Sequence, residues 1–375
     1  MRVAFLTNNR FPPREGIARH IAEIALRLRA RGIDSIILSP GSRFGRWQRR
    51  REQGIEHLRY PYWKLRPFHH AMIRPLLQRW LDEGAGGADV VHLHLPLLPP
   101  LETGRKLVVT VHSPLLTDTA AIPERDLRAR LTRLNAKWIS AGYEQKHLDR
   151  ADRIIAVSGA VARELDANYR SPPAGIETIT NGVDTRFFTF SPTALRNRHV
   201  LFAGRLGYRK GLFRLLDAMV LLDDPRIRLE IAGEGPLETA LRRHVRRLGL
   251  TDRVLFHGFL DRNRLRETLR RVGCLVNPAD YETGPLSLLE AMSAGTPIVS
   301  TATGLAVEMG PNVPMRVVET SAFGLARGIG EVFADGQASR ERAEAARRVV
   351  EQRFEWELIV DRLAGIYREP VRCAA

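Results

Sequence analysis

The sequence predicts an α/β protein of two doubly wound domains, each a parallel sheet flanked by helices. Three observations carry that prediction. Short apolar runs of strand length alternate with segments of helical period, the pattern left by successive βαβ units. The alternation lapses over residues 185–198, where FFTFSPTALRNR loses periodicity, and restarts with the apolar run His199–Ala203. The chain has 375 residues, 44% of them apolar, which is enough for two domains with separate cores.

In chain order, residues 2–7 (RVAFLT) read as a buried strand, and Ile17, Ile21, Ile24, Ala25 and Leu28 fall on one helical face. In a doubly wound domain, ligands bind outside the carboxyl ends of the strands, so the intervening loop is a candidate binding element. Gly16, at the helix start, permits close approach of an anion or sugar to the backbone, although a simple loop glycine fits equally. Further strands are expected at Ile33–Leu38, Ile55–Tyr60 and Asp89–Leu93, a helix near 70–82, and a fifth strand in KLVVTVHS, ending at His112. His92 and His94 alternate on the fourth strand. An H-x-H pair can share one ion, but no carboxylate or cysteine completes a set at a recognisable spacing, so both histidines read as satisfied structural groups and no metal is expected. A long helical region covers about Arg125–Arg150. Arg153–Val157 reads as a strand, with Ser158 as N-cap of the helix in VARELDANY. Asn181-Gly182-Val183-Asp184 is a turn by its own chemistry.

The second half opens with the strand His199–Ala203 and the loop Gly204-Arg205-Leu206-Gly207-Tyr208-Arg209-Lys210-Gly211. Phosphate recognition needs a fork of donors or a compact positive charge near pliable backbone, and Arg205 and Lys210 offer both. Arg228–Ala232 and Arg253–Gly258 read as strands, and so does the apolar run Cys274–Asn277. The turn after it carries Asp280, Tyr281, Glu282 and Gly284, and a helix is expected to open at Pro285, whose missing amide costs nothing at a first helical position. The amides of Leu286 and Ser287 are then free to face an anion at the positive end of the helix dipole. Glu282 precedes this helix and Glu290 lies about 7–8 Å beyond Pro285 along its axis, a span that suits the two ends of one extended ligand. Gly295 ends the helix and Pro297–Ser300 is the next buried strand. Two helices follow over Ser321–Arg353, and the last segment is amphipathic through Trp356, Ile359, Val360, Leu363 and Tyr367.

The net charge is +16, with 53 arginines and five lysines. Residues 43–80 hold ten basic residues against two acidic ones, interleaved with Trp47, Tyr60, Tyr62, Trp63, Phe68 and Trp80. Such a segment suits a membrane surface or an anionic acceptor, or is a solvated arginine-rich face. No 18-residue apolar run occurs, the start MRVAFLTNN is too short and polar for a signal peptide, and Cys274 and Cys373 make no disulfide framework. A cytoplasmic protein is expected, with a possible peripheral membrane contact through 43–80.

The block NPADYETGPLSLLEAMSAGTPIVSTAT resembles the E-x7-E signature of the retaining GT-B glycosyltransferases of family 4, with Glu282 and Glu290 as its glutamates. VHLH, ADRIIAVSG, NGVD, the 204–211 loop about 75 residues earlier and RVLFHGFL also resemble that family. The departures are Gly284-Pro285, where the family often has Phe-Gly, and Glu15-Gly16, where it usually has a glycine pair. The resemblance implies two Rossmann-like domains with a cleft between them: 1–188, completed by the C-terminal helix 356–375, and 189–355, which binds the donor. It places Glu282 and His112 near the donor sugar, Glu290 at the ribose, and Phe259 and Leu260 near the base. Arg205, Lys210 and the amides of Leu286 and Ser287 would meet the diphosphate, with Gly204 and Gly284 lining it. It implies a nucleotide-diphosphate sugar donor (UDP-sugar first, GDP-sugar next), no metal or other cofactor, and a small-molecule, glycan or lipid-linked acceptor. A sugar-nucleotide epimerase would use the same donor site without an acceptor. A basic membrane- or nucleic-acid-binding protein would rest on 43–80, although no nucleic acid is expected. No G-x-G-x-x-G follows the first strand, against a nicotinamide enzyme.

Overall fold

The central strands of both sheets are short and apolar, and are buried on both faces. The structure, a computed structural model, describes residues 1–14, 16–42, 45–62, 69–120, 134, 141–191, 197–310 and 314–370. Glu15, Trp63, Phe68, Cys373 and most of the expected helical stretch 125–140 lie outside them. The chain divides into Met1–Asn181 with Trp356–Ala375, and Gly182–Glu355.

In the first unit, β1 (Arg2–Thr7), β2 (Asp34–Pro40), β3 (Gln48–Glu52), β4 (Ile55–Tyr60), β5 (Val90–Leu95), β6 (Lys106–Val111), β7 (Arg153–Ala156) and β8 (Ile176–Thr178) are ordered 3-4-2-1-5-6-7-8. Every pairing among them is parallel except β3 with β4. The strand β3, sequence QRRRE, is exposed throughout and is absent from the sequence-based expectation, because it has neither apolar alternation nor a strong turn signal. It is held by a two-residue hairpin in which Gln53 and Gly54 both have positive φ, the twist-matched geometry for such a loop. Its arginines make it a charged edge strand that resists pairing with other chains. The helix Trp356–Arg368 returns to this unit, where Arg31 of the helix Gly16–Ala30 donates to Glu357 at 2.8 Å and Asp361 at 2.6 Å.

In the second unit, β9 (His199–Ala203), β10 (Arg228–Ala232), β11 (Val254–Gly258), β12 (Cys274–Asn277), β13 (Ile298–Thr301) and β14 (Arg316–Val318) form a parallel sheet ordered 11-10-9-12-13-14. Alternate residues bury opposite faces, as the pleat requires. Val200, Phe202, Cys274 and Val276 join one core, while Leu201 and Leu275 join another. The last residues expected in the first domain also belong here. Val183 donates its amide to the Phe354 carbonyl at 2.7 Å, and Phe188 is buried in this core. Arg347 caps the carbonyls of Thr185, Phe188 and Ser293 at 2.8–3.1 Å. The division therefore falls at Gly182 rather than at 189, and residues 185–191 are packed chain rather than a loose linker. Among the described residues, no helix is long and apolar enough to cross a membrane.

Candidate active site

The order of the second sheet fixes where a ligand can sit. From β9 the chain moves outward through β10 and β11, then crosses back to lay β12 on the other side of β9. The loops leaving β9 and β12 at their carboxyl ends therefore diverge, which opens the crevice at the topological switch point of a doubly wound sheet. Those two loops are Gly204–Gly211 and Pro278–Pro285, the stretches singled out in the sequence.

They meet in the fold. Lys210 Nζ donates to Glu282 Oε2 across 72 residues of sequence, and both side chains are largely buried. The Asp280 amide donates to the Arg209 carbonyl at 2.8 Å, and Arg214 donates to the Pro278 carbonyl at 3.2 Å and pairs with Asp280. Gly211, with φ of 61°, turns the chain from a short 3-10 segment, Tyr208–Lys210, into the helix Leu212–Val220. A Cβ there would overlap the Pro278 carbonyl, so only glycine lets the loops close to this distance.

Arg209 has no distinguishing signal in this arginine-rich sequence, where its neighbour Lys210 stands out as one of five lysines. Its guanidinium stands 5.5 Å from the centre of the Tyr281 ring, and burial pulls its pKa below the usual arginine value, against the raising influence of Glu282 and Tyr281. Arg205 is exposed on the same loop. Gly204 donates its amide to the Ala232 carbonyl at 2.9 Å.

The helix expected at Pro285 begins one residue later. Pro285 is its N-cap in extended conformation, and the helix runs Leu286–Ala294, with Gly295 left-handed at its end. Leu286 and Ser287 are then its first two residues, whose amides have no intrahelical acceptor. Residues Leu288–Ala294 are all buried, Glu290 among them at 3% exposure. An acid in that setting is a costly choice for a helix that needs only packing. Gly304, with φ of 50°, brings its backbone so close that a Cβ would stand 2.7 Å from the Glu282 carbonyl oxygen, which braces the Glu282–Gly284 turn from β13. Phe259 and Leu260 leave β11 at the same edge of the sheet, after Gly258 at φ of 68°.

The first unit gathers a different group at its own switch point, between β1 and β5. His94 lies opposite Thr7 of β1, and His112 follows β6. His94 Nδ1 and His112 Nε2 share a hydrogen bond of 3.0 Å. His20, on the helix Gly16–Ala30, stands edge-on to His112 with ring centres 4.8 Å apart, and donates from Nδ1 to Asn181 Oδ1 at 2.8 Å. Burial holds all three pKa values down, that of His20 to about 4 and those of His94 and His112 well below the usual imidazole value. His92 is a satisfied structural group, bonded to the Tyr367 hydroxyl and to Thr110 Oγ1 at 2.7 Å each. The same expectation fails for His94, whose Nε2 is buried and has no hydrogen-bond partner among the described residues. Gly16 begins its helix, and a Cβ there would meet nothing within 4 Å.

Residues 185–349 match the family described as Glycosyl transferases group 1, and residues 14–187 match Glycosyltransferase Family 4. The chain is 30% identical over 341 residues to the D-inositol 3-phosphate glycosyltransferase of Streptomyces griseus, covering 79% of this chain and 70% of that one. This protein belongs to the family 4 glycosyltransferases. Among solved structures, the sucrose-phosphate synthase of Thermosynechococcus elongatus superposes with a TM-score of 0.79 at 21% identity, over 98% of each chain. HepE of Anabaena, solved with UDP-glucose, superposes with a TM-score of 0.73 at 20% identity over 98% of this chain and 99% of its own. These neighbours fix the fold as GT-B, two Rossmann-like parallel-sheet domains.

Proposed function

We propose that this glycosyltransferase moves a sugar, with retention of anomeric configuration, from a nucleotide-diphosphate donor to a small-molecule, glycan or lipid-linked acceptor. A UDP-sugar is the first choice of donor and a GDP-sugar the next. The observation that carries the reading is the meeting of Lys210 with Glu282 beside the first turn of Leu286–Ala294. It gathers a compact cation, a carboxylate and open helix amides at one switch point, the set that an anionic leaving group joined to a sugar requires.

In this reading, bond breaking at the anomeric carbon leaves charge on the diphosphate. Lys210, Arg205 and the amides of Leu286 and Ser287 stabilise that charge as it develops, with Gly204 and Gly284 keeping side chains out of its way. Arg209, on the same loop as Lys210 and beside Tyr281, adds a third cation. Glu282 and His112 hold the sugar hydroxyls, Glu290 the ribose, and Phe259 and Leu260 the base. Fixed cations do the work of a divalent ion, so transfer proceeds in chelator. Among the described residues, no side chain near Glu282 is placed as an obvious nucleophile, which favours attack of the acceptor on the same face that the diphosphate leaves, with the departing phosphate taking the acceptor proton. HepE, which shares this fold, binds UDP-glucose, and that favours the uridine donor.

The test is a thermal-shift series with UDP, GDP, ADP and dTDP in chelator, wild type beside Lys210→Ala. Ligand at 100 times its Kd should stabilise the fold by about 2.7 kcal/mol. One nucleotide should give a shift that fades in the variant. Equal shifts in both proteins would remove Lys210 from the diphosphate site.

A further inference from the structure

The three buried imidazoles of the first unit form more than a packing cluster. One nitrogen from each of His20, His94 and His112 can be chosen so that all three lie within 4.8 Å of one another. Ligands on one tetrahedral zinc ion, at about 2.0–2.1 Å each, stand about 3.3 Å apart. The His94–His112 pair, at 3.0 Å, already meets that spacing. His20 brings the third nitrogen within 4.8 Å of the other two.

The hydrogen bonding prepares the rings for this role. Asn181 Oδ1 can only accept, so His20 carries its proton on Nδ1 and offers the Nε2 lone pair. An imidazole whose other nitrogen donates to a fixed oxygen is the usual arrangement of a metal ligand. His94 Nε2 is buried without a partner among the described residues. His94 Nδ1 and His112 Nε2 hold one proton between them, so ligation through this pair moves that proton to an outer ring nitrogen, and on His94 that nitrogen, Nε2, is engaged by no other group among the described residues.

We infer that His20, His94 and His112 form a site for a borderline-soft divalent cation of the zinc type, and that filling it shuts off glycosyl transfer. Three neutral nitrogen donors with no carboxylate select Zn²⁺, Co²⁺ or Ni²⁺ over Mg²⁺ or Ca²⁺. The site itself stands on the geometry alone. The inhibitory part rests on the proposed role of His112 at the donor sugar, because a ring bound to a cation cannot also hold a sugar hydroxyl.

The experiment uses the full chain, stripped with chelator and desalted, then titrated calorimetrically with Zn²⁺ and, for a spectroscopic signature, with Co²⁺. One ion per chain is expected, with Co²⁺ giving the visible ligand-field bands of a low-coordinate nitrogen site and Mg²⁺ giving no heat. His20→Gln and His94→Gln should abolish the binding, and Asn181→Ala should weaken it about 10- to 100-fold by freeing the His20 ring. Melting curves in chelator identify any variant that fails to fold, and His20→Gln carries the test if His94→Gln does. Absence of saturable binding in the wild type, or binding unchanged in the variants, overturns the site. Stoichiometric binding at these histidines with undiminished transfer overturns the inhibition and the role given to His112, and leaves the site standing.

Discussion

Lys210 is one of five lysines in a chain of 53 arginines, and it lies against the carboxylate of Glu282. An ammonium on a flexible stem is a point charge, whereas a guanidinium is a fixed fork. If the charge is needed at one spot between Glu282 and the leaving phosphate, Lys210→Ala should lower turnover by about 10²–10³. Lys210→Arg should recover only part of it, since the fork does not fit a position shaped for a compact cation. Steady-state kinetics on both variants check this, and near-normal turnover in Lys210→Ala would sink the assignment. Glu144 poses a different problem at the same scale. It is buried and accepts from the Tyr169 hydroxyl and the Leu115 amide, yet burial wins and lifts its pKa from 4.5 to about 7. A carboxyl whose folded pKa is raised binds a proton more tightly in the folded state. Its cost to stability is absent below about pH 4.5, grows as pH rises, and is complete once pH passes about 7. A rise of that size corresponds to about 3 kcal/mol. Glu144→Gln should therefore be more stable than wild type at pH 8 and nearly equal to it at pH 4.5. Parallel denaturant curves at the two pH values, with the same difference at both, would contradict it.

Elements, more than single residues, decide what could be read from the sequence. The helix Leu286–Ala294 announced itself through Pro285, Gly295 and its flanking strands, and was placed to within one residue. Its partner loop was legible because a phosphate-type loop has to carry its charge in sequence. What stayed hidden was made by tertiary approach. His20 shows no motif on its helix and enters the imidazole cluster only because the fold brings its ring against His94 of β5 and His112 after β6. The strand β3 is five polar and charged residues whose only structural cause is pairing with β4. The joint between the two loops is a prediction at this scale. Gly211→Ala places a side chain at φ of 61° against the Pro278 carbonyl. Left-handed strain alone costs about 1–3 kcal/mol, and relief of the overlap must push Lys210 away from Glu282. The variant should lose stability and nucleotide binding together. Gly336→Ala, at a helix start with nothing within 4 Å of the new methyl, is the control and should be neutral or slightly stabilising. Equal melting temperatures for the two variants would show that the loops do not need their close approach.

For the whole molecule, the informative fact is that the first unit is not continuous in sequence. It takes back the last helix, Trp356–Arg368, whose amphipathic pattern was visible from the start. That helix is bound into the sheet as well as laid on it. Lys106 Nζ of β6 donates to the carbonyl of Glu369 at 2.5 Å and to that of Ile366, and the Tyr367 hydroxyl meets His92 of β5. Trp356, Ile359, Val360, Leu363, Ile366 and Tyr367 are all buried. At about 1.5–3 kcal/mol for each such side chain, these six together match the whole net stability of a domain, about 5–15 kcal/mol. Ending the chain at Glu355 should therefore unfold the first unit and leave the second with its sheet, its two cores and its Lys210–Glu282 pair. Calorimetry of the shortened chain should show one cooperative transition, reduced in enthalpy, that still rises when the preferred nucleotide is added. Transfer activity should vanish with the first unit. A shortened chain that retained transfer would mean that the return helix is dispensable to the unit it closes, and the burial of those six side chains argues that it is not.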